Sequence, residues 1–358
     1  MTASSPNIWL VLGDKLGDNA QAAKVADCLG MPYTTKRLLP RQKYALGKPF
    51  FRISLEHLDM NRSDPLNPPW PDLVITAGRR HAMAALWIKA QNPTTKIVLL
   101  GRPRRWIEKF DLVITPPQHQ VPDQPNVLPL SLPLMRADKE RISQQSEHWR
   151  NRFDSLKKPI IAVLVGGPTR PYRFDKKAVR ELLTQCKLIQ ECHGGTLYFS
   201  TSRRTPAAVI ATLDKERPQP SVLHEWTPGD PENPYLALLG LAEYFIVTGD
   251  SVSMMIEVAD CKKPLAIFPL PNGWRGTLWQ RCRLFDKIYQ RLGNQLYKTG
   301  IVGFGRDLGT LHKMLINTGF AVAAGNAFIQ PTQSLPDELE KIGARIRLLI
   351  KNPAECDT

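Results

Sequence analysis

Short apolar runs alternate with segments of helical spacing along this chain. Ile8 to Leu12 precedes a helical pattern from about Asn19 to Leu29, Leu73 to Thr76 precedes one from about His81 to Ala90, and Ile97 to Leu100 and Leu112 to Ile114 complete four strands. Parallel strands cannot be joined by tight hairpins, so helices between them predict a parallel sheet flanked by helices. From Pro116 to Pro133 the pattern is lost among prolines, and Asp138 to Phe153 then reads as one polar helix. A second alternation follows: Ile160 to Val165, a helix from about Lys176 to Cys192, Thr196 to Ser200, a helix from about Pro206 to Glu216, and Ser221 to Trp226. It continues with a short helix around Tyr235 to Ala242, Tyr244 to Thr248, a helix from Ser253, and Leu265 to Phe268.

The expected architecture is α/β, with two Rossmann-like domains (1–150 and 151–330) facing across a cleft and a helix in 331–358 packing back on them. That helix carries Leu335, Leu339, Ile342, Ile346 and Leu349 at helical spacing, started by Ser334 and Pro336. Its Lys341, Arg345, Arg347 and Lys351 would also suit a membrane surface, although packing of one apolar face on a domain is the commoner use of such a pattern.

With 42% hydrophobic and 23% charged residues, 358 residues have the balance of a folded protein of two ordinary domains. No run of eighteen apolar residues occurs, and the first residues lack a basic stretch followed by an apolar one. The six cysteines form no CxxC pair and the seven histidines no HExxH spacing, so neither structural zinc nor a disulfide framework is expected, and a reducing cytoplasm is the default location. A formal charge of +15 points to an anionic partner. Because the basic residues occur as scattered pairs (Arg79-Arg80, Arg104-Arg105, Arg203-Arg204), a small phosphorylated ligand or an acidic membrane surface peripheral to the cytoplasm fits better than nucleic acid.

Ligands of open parallel sheets bind beyond the carboxyl ends of the strands. The most informative junction is Tyr244 to Ala259, where an apolar strand enters the polar turn Thr248-Gly-Asp-Ser251 and opens a helix. Unpaired N–H groups and the positive helix end there suit a phosphate. Asp250, Ser251 and Ser253 can cap the helix or donate to a ligand, and Glu257, one turn beyond Ser253, can reach toward a sugar diol. An ordinary capped βα unit would read the same. Gly166-Gly167 would let backbone approach a phosphate while Arg170 pairs with it, or would simply serve a tight strand exit. Thr201, Ser202, Arg203 and Arg204 sit at another strand end, before Pro206. In the first half, Gly17, Asp18, Asn19 and Gln21 follow the first strand, with Asp18 a candidate base or a helix cap, and Arg79-Arg80 follow the second. His81 is a base or a packed ring, and Trp226 and Trp274 are base-stacking or lid residues. Gly13-x-x-x-Gly17 is not GxGxxG, so no nicotinamide cofactor is expected.

The segments GDKLGDNAQ (Gly13 to Gln21), TAGRR (Thr76 to Arg80), FDLVITP (Phe110 to Pro116), VLVGGP (Val163 to Pro168), STSRRTP (Ser200 to Pro206), NPY (Asn233 to Tyr235) and TGDSVSMMIEVA (Thr248 to Ala259) resemble the family of the plant mitochondrial fission factor named for elongated mitochondria, with its many bacterial members. The resemblance runs from about Ile8 to Ile350. It implies a two-domain fold similar to GT-B glycosyltransferases. The plant member acts at the outer membrane surface and recruits a dynamin-related protein, whereas bacterial members look like enzymes of unassigned reaction. The start Met-Thr-Ala-Ser-Ser-Pro has no presequence pattern, which favours a bacterial cytosolic member. Gln120 departs from the family, which commonly has an acid after the histidine equivalent to His119.

Carried over from GT-B enzymes, Ser251, Ser253 and Met254 would lie at the donor's phosphates and Glu257 at its ribose. Arg203 or Arg204 and Gly166-Gly167 would neutralise the leaving diphosphate without a metal ion. The expectation is a metal-independent transferase of a nucleotide-activated sugar with Asp18 as base. The alternative is a non-catalytic recruiting scaffold on the same fold. An epimerase is disfavoured because GxGxxG is missing.

Overall fold

The computed structural model describes residues 5–45, 52–103, 106–119, 121, 123–169, 172–273 and 307–350. They form two compact units, one of residues 5–134 with 336–350 and the other of 135–273 with 307–335.

In the first unit, β1 (Ile8–Leu12), β2 (Thr34–Arg37), β3 (Leu73–Ala77), β4 (Lys96–Leu100), β5 (Leu112–Thr115) and β6 (Val127–Pro129) make a parallel sheet in the order β2-β1-β3-β4-β5-β6. Alternate residues supply its two faces: Trp9, Val11, Val74, Ile97, Leu99 and Val113 in one core, Ile8, Leu10, Leu73, Ile75, Val98 and Ile114 in the other. The helices α1 (Leu16–Asp27), α2 (Gln42–Ala45) and α3 (Arg79–Gln91) connect the early strands.

The second unit holds β7 (Ile160–Leu164), β8 (Thr196–Ser200), β9 (Ser221–His224), β10 (Tyr244–Thr248), β11 (Leu265–Phe268) and β12 (Val322–Ala323), all parallel. Helices α4 (Lys139–Asp154), α5 (Lys176–His193), α6 (Ala207–Glu216), α7 (Tyr235–Leu241), α8 (Val252–Asp260) and α9 (Leu308–Asn317) belong to it. Asp138 caps α4 by accepting from Arg141 N–H, and Asp175 caps α5 by accepting from Ala178 N–H. The last helix, α10 (Leu339–Ile350), packs Ile342 and Ile346 beside Ala22, Val25 and Ala26 of α1, in the first unit. Among the described residues no helix is long and apolar enough to cross a membrane.

Two Rossmann-like α/β units are thus present, as the alternation predicts, with strands and helices the pattern leaves out: β2, β6, β12, α2 and α9. The first sheet has six strands where four are predicted. Sheet order decides where loops converge. The second sheet reads β9-β8-β7-β10-β11-β12, the doubly wound order in which the chain reverses direction between its first strand (β7) and its fourth (β10). In the first sheet the reversal lies between β1 and β3. At each reversal, helices leave to opposite faces and the strand ends are uncovered.

Candidate functional site

The loops after β7, β8 and β10 meet at the reversal of the second sheet around one carboxylate. Asp250 has a fully buried side chain. It accepts from Gly167 N–H at 2.9 Å, from the Thr248 hydroxyl at 2.8 Å and from the Ser251 hydroxyl at 3.2 Å, and it pairs with the Arg204 guanidinium at 2.7 Å. Arg204 is 41% exposed and reaches from the β8 loop across the β7 loop, donating to Gly167 C=O and the Thr169 hydroxyl, to Ser251 Oγ on the β10 loop at 3.3 Å. The paired glycines allow this closure. A Cβ at Gly166 would stand 2.2 Å from Ser251 Oγ and 2.3 Å from Asp250 Oδ2, and one at Gly167 would stand 2.0 Å from Arg204 C=O. Gly166 N–H is also used internally, donating to Thr248 Oγ1 at 2.8 Å. The glycines therefore serve approach of protein to protein, and their amides are engaged.

Donors remain at the start of α8. Its first intrahelical bond runs from Met255 N–H to Ser251 C=O, so the amides of Val252, Ser253 and Met254 precede the ladder, and no side chain caps them. Ser253 is exposed and Met254 partly so. Glu257 is partly buried, and its Oε2 accepts from the Tyr235 hydroxyl of α7. Burial pushes the Glu257 carboxyl above its usual range, against the lowering effect of that hydrogen bond. On the β8 side, Thr201 is buried, with its hydroxyl accepting from Trp226 N–H at 2.8 Å, which fixes Trp226 beside the β8 loop. The Ser202 hydroxyl lies 3.2 Å from that of Thr205, which donates to Gly166 C=O at 2.7 Å. Arg203 is exposed. From the opposite side His312 of α9 holds Gly249 C=O at 2.7 Å.

At the reversal of the first sheet, the Asn19 side chain closes the β1 loop by accepting from Gly13 N–H at 3.0 Å and donating to Gly13 C=O at 2.8 Å. Asp18 lies in the first turn of α1, which starts three residues earlier than its spacing predicts, and forms a surface pair with Lys15 at 3.8 Å. A Cβ at Gly78 would stand 3.3 Å from Asp18 Oδ2, so this carboxylate sits over the start of α3. Gly78 itself, at φ +85°, bends the chain into that helix. Gly17 is exposed and its carbonyl accepts from Gln21 Nε2. Arg79 and Arg80 are the first two residues of α3, where the helix dipole disfavours cations; Arg80 pairs with Asp14 at 3.3 Å. His81 is buried, its ring nitrogens 3.2 Å from Ala77 C=O and 3.2 Å from Leu38 C=O. It packs as a core ring.

A family model described as Mitochondrial fission ELM1 matches residues 17–293, a span that includes nearly all of these loops. The chain belongs to the mitochondrial fission ELM1 family. It is 26% identical over 301 residues to an uncharacterised protein of Rickettsia prowazekii, covering 74% of this chain and 84% of that one. With the mitochondrial fission protein ELM1 of Arabidopsis thaliana the identity is 27% over 221 residues, 55% of this chain and 51% of the plant protein. Similar solved structures include a UDP-GlcNAc 2-epimerase from Neisseria meningitidis bound to UDP-GlcNAc, with TM-score 0.46, 11% identity and coverage of 87% of this chain and 99% of that one. They also include a family 9 glycosyl transferase from Veillonella parvula, with TM-score 0.38, 10% identity and coverage of 76% and 84%.

In this ELM1-family chain the second reversal brings together Gly166, Gly167, Arg204 and Ser251, while Thr201 and Ser202 brace the β8 loop from behind. Gly17, Asp18, Asn19, Gln21, Arg79 and Arg80 gather instead at the first unit's reversal. Sequence reasoning gave Asp250 the roles of helix cap or ligand donor, not that of a partner to Arg204, and did not single out Thr248, Tyr235 as a partner of Glu257, or His312. The Thr248-x-Asp250 spacing at a strand end was the available signal for the first two, but a helix cap explains it equally well. Arg104, Arg105, Gln120, Arg170 and Trp274 lie outside the described residues.

Proposed function

We propose that this ELM1-family protein is a metal-independent, GT-B-like transferase of a nucleotide-activated sugar, with the donor held by the second unit and the acceptor by the first. One observation carries the reading: at the reversal of the second sheet an arginine is braced by a buried carboxylate beside the uncapped start of α8. That combination offers amide dipoles and a forked cation to a diphosphate. In this reading the amides of Ser253 and Met254 and the guanidinium of Arg204 hold the phosphates, with Arg203 adding charge from the exposed side. Glu257 keeps Oε1 for a ribose hydroxyl while Tyr235 engages Oε2, and Trp226 offers a stacking face for the base.

The acceptor hydroxyl oxygen would bond to the anomeric carbon as the bond from that carbon to the diphosphate oxygen breaks. The hydroxyl proton would pass to a carboxylate base, and the diphosphate would leave toward Arg204. Arg79 and Arg80 suit an acidic acceptor, and the net charge of +15 suits one presented at an anionic membrane surface.

A titration of UDP, ADP and GDP followed by thermal unfolding tests the binding half. Ligand at a hundred times its dissociation constant stabilises by about 2.7 kcal/mol. Incubation with the matching sugar nucleotide should then release free diphosphate only when an acceptor is supplied; an epimerised sugar nucleotide formed without acceptor would overturn transfer. A recruiting scaffold is the second reading, favoured by the internal use of Gly166 N–H, Gly167 N–H and the Ser251 hydroxyl. Absence of a thermal shift with every nucleotide would select it.

A further inference from the structure

Asp250 presents an electrostatic contradiction. A carboxylate buried at a site for phosphates repels the ligand, and water cannot screen it there. It nonetheless sits at the meeting point of three loops, with both oxygens engaged: Oδ1 by the Thr248 hydroxyl, Oδ2 by Gly167 N–H, the Ser251 hydroxyl and Arg204. Two glycines are needed for it to fit, because any Cβ at Gly166 or Gly167 would collide with Asp250, Ser251 or the Arg204 backbone. A helix cap alone needs no such arrangement, and Asp250 does not cap α8, whose N-cap residue is Ser251 with no side-chain bond to the helix.

We infer that Asp250 is a positioning residue that aims Arg204 at the donor's diphosphate, a role that rests on the nucleotide-sugar reading above. Arginine has a long, rotamer-rich side chain, and an untethered guanidinium at a loop end must be ordered when ligand binds. Here the Asp250 carboxylate takes one terminal nitrogen of the guanidinium beforehand. The other terminal N–H groups are held by Thr169 and, through long contacts of 3.4 and 3.3 Å, by Gly167 C=O and Ser251 Oγ, so a phosphate at the start of α8 would take over those two long contacts while the Asp250 pair stays. The repulsion from Asp250 is offset because its charge is already matched by Arg204. The ligand then meets a preorganised and locally neutral pair. The contacts of Arg204 with Thr169 and Gly167 C=O hold the same side chain from the β7 loop, so all three loops set its direction.

The sign of one substitution separates positioning from charge. Asp250→Asn keeps the shape and one acceptor oxygen but removes the negative charge. If Asp250 were only a nearby charge, the variant would bind diphosphates more tightly. If it aims Arg204, binding of UDP, ADP or GDP should weaken roughly tenfold, the worth of one charge-assisted hydrogen bond, while the parent nucleoside binds as before. Isothermal titration of the full chain with each diphosphate, its nucleoside and inorganic pyrophosphate reads both. Tighter or unchanged diphosphate binding overturns the inference. An equal loss for nucleoside and diphosphate also overturns it, since that marks a merely structural role.

Should Asp250→Asn not fold, Arg204→Lys decides. It keeps the cation but cannot serve Asp250 and a phosphate through one rigid fork, so diphosphate binding should fall by a similar factor with the nucleoside unaffected. Wild-type affinity in that variant overturns the proposal. If both single variants fold, the double variant should be no weaker than Arg204→Lys alone, and additive losses would show that the two residues act separately. Failure of the unaltered protein to bind any diphosphate defeats the nucleotide-sugar reading and this role together. Binding that survives both substitutions defeats this role alone.

Discussion

At residue scale, the site is built by close approaches that the sequence encodes as small residues. Gly166 is a clear case: on its own it suggests a phosphate loop, yet its missing side chain makes room for Asp250 and Ser251. Gly166→Ala should therefore destabilise the second unit by about 1–3 kcal/mol, as overpacking of a tight interior does, and should lower the urea midpoint without changing the slope. An unchanged midpoint would mean that the β10 loop yields easily and that the latch is loose. Residue identity was legible at these positions and role was not, because the three loops that converge here lie 38 to 85 residues apart in sequence, as the partners Gly166, Arg204 and Ser251 show. Convergence is a property of sheet order, and no single-sequence pattern reports it.

At element scale, apolar runs of parallel strands were legible because these strands are buried on both faces. β1, β8, β10 and β11 are read with the bounds they have, and each has an apolar centre. The strands that were not legible lie at sheet edges or are very short. β2 is Thr-Thr-Lys-Arg with largely exposed side chains, β6 ends in proline, and β12 has two residues. Helix α9 did carry a signal, with Leu308, Leu311 and Leu315 spaced for one face and Asp307 as cap, but Gly309 weakens the pattern. Helix α10 shows how an element far away in sequence completes a core. Ile342 and Ile346 are fully buried against the first unit, and Arg347 donates to Cys28 C=O at 3.0 Å. Ile346→Ala should cost about 2–5 kcal/mol. Hydrogen exchange should show that loss in β1, β3 and α1 and leave β7 to β11 protected; equal loss in both units would contradict this assignment.

At the scale of the whole molecule, buried and half-buried imidazoles set a pH dependence. His57, His81, His224 and His312 all have pKa values below the ordinary histidine range, with burial as the leading cause in each. At His81 the backbone hydrogen bonds oppose that shift, yet a neutral ring can donate to only one of its two carbonyl neighbours. Groups depressed in the folded state add stability that is present above the unfolded value of about 6.5 and lost as pH falls through the folded values. Glu257, raised by burial, works the other way, gaining folded-state protons as pH falls. Since four histidines oppose one carboxyl, the midpoint of urea unfolding should be lower at pH 5.5 than at pH 7.5. His81→Asn should flatten that dependence, and a profile indifferent to pH in this window would show that these rings are solvated.

The return of the last helix to the first unit also bears on how the protein is made. Translation normally lets an N-terminal body close while later residues are still being added. Here Ile342 and Ile346 are made only after the whole of the second unit, and the first unit's sheet lacks part of its lining until they emerge. The body begun before the other is finished after it, and a nascent chain stalled anywhere before residue 339 exposes a greasy face that a holdase would recognise.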